Sequence, residues 1–327
     1  MTYRLEPNQS VSQSVEQIAA TQIDDVLAKF GKGTASPAAI HETRKTIKRL
    51  RALLSLVGHG LDAQDMRREH GRLRAIAHSL AGARDSQVMI ETAAKLESAG
   101  LPERGRAASR ALTVLLGKNP KNGHTDLPSS VGSLPLAPLQ EARDALRSLA
   151  LDSLTFDDVL RGFGKTYRRG RKCHVSVFAA DGDDETFHDL RKEVQQHWRH
   201  LQLLCDAWPK ALRPQIALAR ELSETLGEDH DIAVLAAFAR QNADKLGGAK
   251  GLAAYLRLCA SRQQNLRRHS DLLARRLYAE KSKALQQRIS VYWETAEALD
   301  RGKAGLADGG NVISIRPVSV KARRPHR

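Results

Sequence analysis

Apolar residues recur at helical spacing from near the start of the chain. Val11, Val15, Ile18, Ala19, Ile23, Val26 and Leu27 form one stripe that runs up to Phe30. Gly31 and Gly33 close that segment, and Ser36-Pro37 then offers a cap followed by proline at the first helical position, which opens a second helix. On this second helix Ile47, Leu50, Leu53, Leu54 and Val57 take one side. With His41 at zero and a step of about 100° per residue, Arg44, Lys45, Lys48, Arg49 and Arg51 fall within about 80° of it on the other side. Glu42 points off that face. A solvated face ordinarily mixes charges of both signs, so one that is cationic almost throughout points to an anionic partner.

The pattern predicts further helices over about 63–80, 84–98, 101–116 and 139–150. Another starts at the cap-like Thr155-Phe-Asp-Asp158, and one follows the acidic turn at 181–185 and carries His188 toward Ala207. A helix led by Pro209 runs through Leu226, Gly227-Glu-Asp-His-Asp231 opens the next, and a long one spans 252–277 with periodicity continuing toward Leu299. No stretch sustains period-two alternation; 312–320 comes closest and is interrupted by Pro317. The expected class is all-α. The Gly-, Pro-, Ser- and Asn-rich segment near 119–138 reads as a linker, and 305–327 as a disordered basic tail.

The chain repeats itself. His188-Asp-Leu-Arg-Lys192 echoes the opening of the His41 helix at an offset of 188 − 41 = 147. Residues 80–85 align with 226–231 at 226 − 80 = 146, pairing Arg84 with His230 and Asp85 with Asp231. Two motifs repeated in one order imply two equivalent units. In the second copy His188, Arg191, Lys192 and Arg199 share a face, but Gln195, Gln196 and Trp198 stand where the first has Lys48, Arg49 and Arg51. A third basic face carries Arg161, Lys165, Arg168, Arg169 and Lys172 at i, i+4, i+7, i+8 and i+11. From sequence, ligand contact and plain exterior surface are equally good readings of it.

Composition sharpens the partner. The 327 residues hold 52 Lys and Arg against 37 Asp and Glu, a net charge of +15 that calls for a polyanion: nucleic acid, an anionic membrane surface or a phosphate polymer. Aromatic residues are only 4%, which argues against a reader that stacks single-stranded bases. Cys173, Cys205 and Cys259 are odd in number and widely spaced, so neither a disulfide framework nor a zinc knuckle is expected, and a reducing cytoplasm is the expected setting. No apolar run is long enough to span a membrane. No Gly-rich phosphate loop, GxSxG, HExxH or paired-carboxylate spacing suggests catalysis, and neither copy of the histidine motif has the i+3 or i+4 partner a metal site wants. Asp229-His230-Asp231 is explained by a capped helix start.

The His41 stretch, its copy at His188, the Arg84-Asp85 and His230-Asp231 segments and the Tyr3-Arg-Leu-Glu-Pro7 opening together resemble the CHAD family, the conserved histidine α-helical domain. The resemblance spans nearly the whole chain. It implies a pseudo-two-fold pair of up-down helical bundles, about four main helices per half, in one elongated domain over 1–304, with halves at about 8–118 and 139–304. It also implies a basic channel that binds inorganic polyphosphate without chemistry, cofactor or metal, in the cytoplasm and at polyphosphate granules. Nucleic acid is then a nonspecific competitor, or else the partner in its own right; a metal-dependent phosphotransferase or polyphosphatase is the third reading. Some members carry an N-terminal triphosphate tunnel domain, but this chain opens directly into a helix and none is expected. Carried over by position, the ligands are His41, Arg44, Lys48, Arg49 and Arg51, with His188 and Arg191 from the second copy. Lys45, Arg72, Arg84, Lys192, Arg199 and the row Lys165, Arg168, Arg169 and Lys172 complete the expected site. The first copy is expected to bind more strongly.

Overall fold

The computed structural model describes residues 3–30, 36–80, 82–98, 103–118, 134–179, 182–246 and 249–307. The described residues form α-helices and two short 3-10 turns, with no strand among them, and no helix is long and apolar enough to cross a membrane. The helices are α1 (Val11–Phe30), α2 (Pro37–Val57), α3 (Ala63–Ser79), α4 (Gly82–Ser98), α5 (Glu103–Lys118), α6 (Leu136–Arg147), α7 (Phe156–Ala179), α8 (Asp184–Leu203), α9 (Pro209–Gln241), α10 (Ala249–Leu277) and α11 (Ser282–Ala307).

The predicted caps explain several of these starts. Ser36 accepts from the Ala39 N–H at 3.2 Å with Pro37 behind it. Asp158 accepts from both the Thr155 hydroxyl, at 2.7 Å, and the Thr155 N–H, at 3.0 Å, to make a capping box for α7. In the turn that the sequence marks only as acidic, Asp183 caps α8 by accepting from the Thr186 N–H at 2.9 Å. The lead-in before α1 is a tether: Tyr3 Oη donates to the Arg49 carbonyl at 2.8 Å, the Leu5 N–H to the Leu203 carbonyl at 2.8 Å, and the Leu5 side chain is fully buried.

Three boundaries differ from the sequence reading. Leu136–Pro138 already belongs to α6, whose apolar Leu139, Ala142 and Leu146 are buried, with Leu134 and Pro135 leading into it; the remaining 119–133 of the expected linker lie outside the described residues. The expected helix start at Gly227-Glu-Asp does not exist, because α9 runs unbroken through it. Asp229 there caps nothing. It is buried and accepts from Arg267 of α10 at 2.9 Å, a partner that sequence spacing does not reveal. Finally, Tyr278–Lys281 separates α10 from α11, and α11 continues past Gly302. Of the expected tail, 308–327 lies outside the described residues.

With these corrections the internal repeat becomes regular. Helix starts recur at 156 − 11 = 145 (α1, α7), 184 − 37 = 147 (α2, α8), 209 − 63 = 146 (α3, α9), 249 − 103 = 146 (α5, α10) and 282 − 136 = 146 (α6, α11). The counterpart of α4 is the second half of α9. The described helices number eleven. Each apolar core draws on both halves: one joins α1, α2, α3, α6, α7, α8, α11 and the first part of α9, and the other joins α4, α5, the second part of α9 and most of α10. Packing units and sequence halves do not coincide.

The crossing of α2 with its neighbours positions the site. A Cβ on Gly162 of α7 would lie 1.9 Å from the Leu56 carbonyl oxygen, so the two backbones touch where only glycine fits. On α8, His200 is fully buried and its Nε2 lies 2.9 Å from the Ala52 carbonyl, which requires that this nitrogen carry the proton. His197, also buried, packs among the rings of Phe163, Tyr167 and Tyr278. Burial pushes the pKa of His197 down to about 3 and that of His200 to about 4.

Because both folded-state values lie below the ordinary 6.5, the unfolded chain binds protons first on acidification. Their contribution to stability is complete above about pH 6.5 and is lost as pH falls toward about 4 for His200 and about 3 for His197. The unfolding free energy in urea is expected to drop by up to about 1.4 kcal/mol per pH unit for each histidine. His197→Phe should make that decline shallower; an unchanged slope would remove His197 from its cause.

Candidate polyanion site

The cationic face of α2 looks into a cleft of about 680 Å³. Its walls are α2, the residues of α8 around Arg191, Gln195 and Arg199, and α9 from Ser223 to Val234, with Val88 and Met89 of α4 at one edge. Among the described residues six Lys and Arg side chains line it, four from α2 (Arg44, Lys45, Lys48, Arg49) and two from α8 (Arg191, Arg199), against two carboxylates on α9, Glu224 and Asp231.

Several of these cations are held from behind. The Arg44 guanidinium donates to the Leu80 carbonyl at the end of α3, at 2.9 Å. Arg49 donates to Gln22 Oε1 at 2.9 Å and lies 5.5 Å from the centroid of the Tyr3 ring. Arg199 is buried, lies 5.3 Å from the Trp198 ring centroid and donates to the Gln195 carbonyl at 3.0 Å. Lys45 pairs with Glu42 at 3.3 Å, and His41 stands at the rim, 4.0 Å from the same carboxylate. These contacts fix directions but leave donors toward the cleft, because a guanidinium has five N–H groups.

The electrostatic strain gathers on Lys48, Arg191 and Arg199. For Lys48, burial, then the positive charges of Arg199, Arg191 and Arg44, push its ammonium down to about 8 against the opposing charge of Asp231. Burial lowers Arg199 to about 10, and Arg49 adds to the shift. Arg191 is lowered by burial while Asp231 opposes the change, and its buried Nε has no hydrogen-bond partner among the described residues. It lies over Gly227 of α9, where a Cβ would meet its Nε at 3.7 Å, an ordinary van der Waals contact.

The expected residues therefore separate. His41, Arg44, Lys45, Lys48, Arg49, Arg191 and Arg199 share the cleft. Arg51 does not: it turns toward α3, where burial and then the charge of Arg74 lower its pKa. Arg72 is also elsewhere, bound to the buried Glu69 at 3.1 Å and to Glu141 at 3.4 Å. His188 sits beside the cleft rather than in its wall, stacked on the cleft residue His230 with ring centroids 4.2 Å apart. Burial, then Arg191 and His188, push His230 down to about 4. Lys192 is exposed and pairs with Asp189 at 2.9 Å. Lys165, Arg168, Arg169 and Lys172 lie on the exposed face of α7, outside the cleft. The side chain of Arg84 lies outside the described residues.

Sequence reasoning missed the α9 wall. Its only signal was the repeat, which pairs Arg84 with His230 and Asp85 with Asp231. The Gln195 and Trp198 substitutions, read as losses of charge, also line the cleft, and the Gln196 amide instead binds Ser55 Oγ of α2. Comparison with curated protein sequences gives no match. A family model of the CHAD domain matches residues 17–240, which takes in the cationic face of α2, its copy on α8 and nearly all of α9, and the chain belongs to the CHAD domain family.

Proposed function

We propose that this protein binds inorganic polyphosphate in the cleft between α2, α8 and α9, and that binding is the whole of its activity. One observation carries the reading: Lys48, Arg191 and Arg199 converge in one concavity, where burial lowers the pKa of all three and neighbouring cations add to the shift of Lys48 and Arg199. The folded chain holds this charge at a cost, and a chain of phosphates entering the cleft reverses the sign of that cost. Arginine supplies planar donor forks and lysine a mobile point charge, the two modes that suit phosphate oxygens. Several charge-assisted bonds along one polymer give affinity that grows with chain length and weakens with salt. The recurrence of helix starts supports a pseudo-two-fold relation of the two halves, with α2 as the stronger contributor of charge.

Competition tests the ligand class. Long-chain polyphosphate bound to the protein should resist displacement by duplex DNA or RNA at equal charge concentration; efficient displacement sinks the reading. The absence of chemistry is tested by incubation with polyphosphate and Mg²⁺ or Mn²⁺, where chelator-sensitive release of orthophosphate would show an enzyme. We place the protein in the cytoplasm, at polyphosphate granules, which imaging of a fluorescent fusion checks.

A further inference from the structure

The basic row of α7 is unused by the cleft. Beyond Asp158 the helix has no acidic residue up to Ala179, yet it carries Arg161, Lys165, Arg168, Arg169, Arg171 and Lys172. Arg161 is paired with Asp158, and Arg169 with Glu193 of α8. Lys165, Arg168 and Lys172 are exposed and make no ion pair or side-chain hydrogen bond among the described residues. At i, i+3 and i+7 they form a single file, and with Arg161 the row is about 16 Å long. Its start is crowded with positive charge. His59, just past the end of α2, has its pKa lowered first by its own desolvation and then by Lys165, Arg161 and Arg168.

Three consecutive residues of α8 connect this row to the cleft. Arg191 lines the cleft; Lys192, about 100° further round the helix, is exposed on the outer surface; Glu193 holds Arg169 of α7. Cations thus continue from the cleft over α8 and along α7, with Asp189 and Glu193 beside them, each paired to one cation of the path, Lys192 and Arg169.

We propose that the α7 row is a second polyanion surface, onto which a phosphate chain too long for the cleft passes across Lys192. This rests on the polyphosphate reading of the cleft and assigns the part of the protein that senses chain length. A single file of cations continuous with the cleft suits one flexible polymer, whereas a duplex presents two separated rows of phosphate.

The test is the full chain carrying Lys165→Gln, Arg168→Gln and Lys172→Gln, exposed positions whose change leaves the core untouched. Its affinity for long-chain polyphosphate should fall about tenfold at low salt. Binding of tetraphosphate, which the cleft accommodates alone, should stay at the wild-type value. Unchanged long-chain affinity overturns the proposal, as does an equal loss for both ligands. So does a loss confined to duplex DNA, which would assign the row to nucleic acid. The cleft reading fails separately, if Lys48→Gln leaves tetraphosphate binding intact.

Discussion

Replacing Lys48 and Arg191 together by glutamine lowers the affinity for a short polyphosphate by roughly a hundred- to ten-thousand-fold. Arg51→Gln or Arg72→Gln leaves it within about twofold. The first figure follows from two charge-assisted hydrogen bonds of about 1.5–3 kcal/mol each. All four residues are basic and three of them lie on helix faces that sequence marks as cationic, so the contrast separates geometry from charge. Arg51 is turned toward Arg74 on α3 and Arg72 is already bound by Glu69 and Glu141. The double variant should also melt no lower than the wild type, because burial works against both charges and the two repel. Isothermal titration with tetraphosphate, together with a thermal melt, reads both. An equal loss in the Arg51→Gln variant would reduce the site to a diffuse field of positive charge.

That contrast also marks how far the sequence could be read. On the α2 wheel Arg49 and Arg51 are mirror positions, about 80° to either side of His41. Period alone makes them equivalent. They differ because α3 packs along the Arg51 side, while the Arg49 side faces Gln22 and Tyr3 at the cleft's edge. Which neighbour covers which flank is a tertiary fact. The caps at Ser36 and Asp158 were legible because a cap is local, made within three residues. The Gly227-Glu-Asp segment carries the same local signals and misleads, because Asp229 is claimed by Arg267, 38 residues away. The apolar stripes predicted the helices but not their sharing: α4 and α5 complete a core with α9 and α10, and no periodicity within one helix names its partner.

Binding of polyphosphate should weaken as pH rises above about 8, by up to tenfold per pH unit, and Lys48→Arg should abolish that dependence. The sign follows from Lys48. In the free protein its ammonium is pushed down to about 8, by burial first and by Arg199, Arg191 and Arg44 after it. A phosphate chain in the cleft adds negative charge beside the ammonium and raises its pKa. Below about pH 8 the group is charged in both states and contributes no pH dependence. Above it the free protein holds a neutral amine that must take up a proton before the phosphate gains its full contact, so affinity declines until the pKa of the complex is passed. Binding at pH 9 should therefore take up about one proton, visible as a difference in binding heat between buffers of different ionisation enthalpy. An arginine at position 48 stays charged throughout this range, so its complex should show neither the decline nor the uptake. Proton uptake persisting in Lys48→Arg would move the titrating group elsewhere and leave Lys48 as one cation among six.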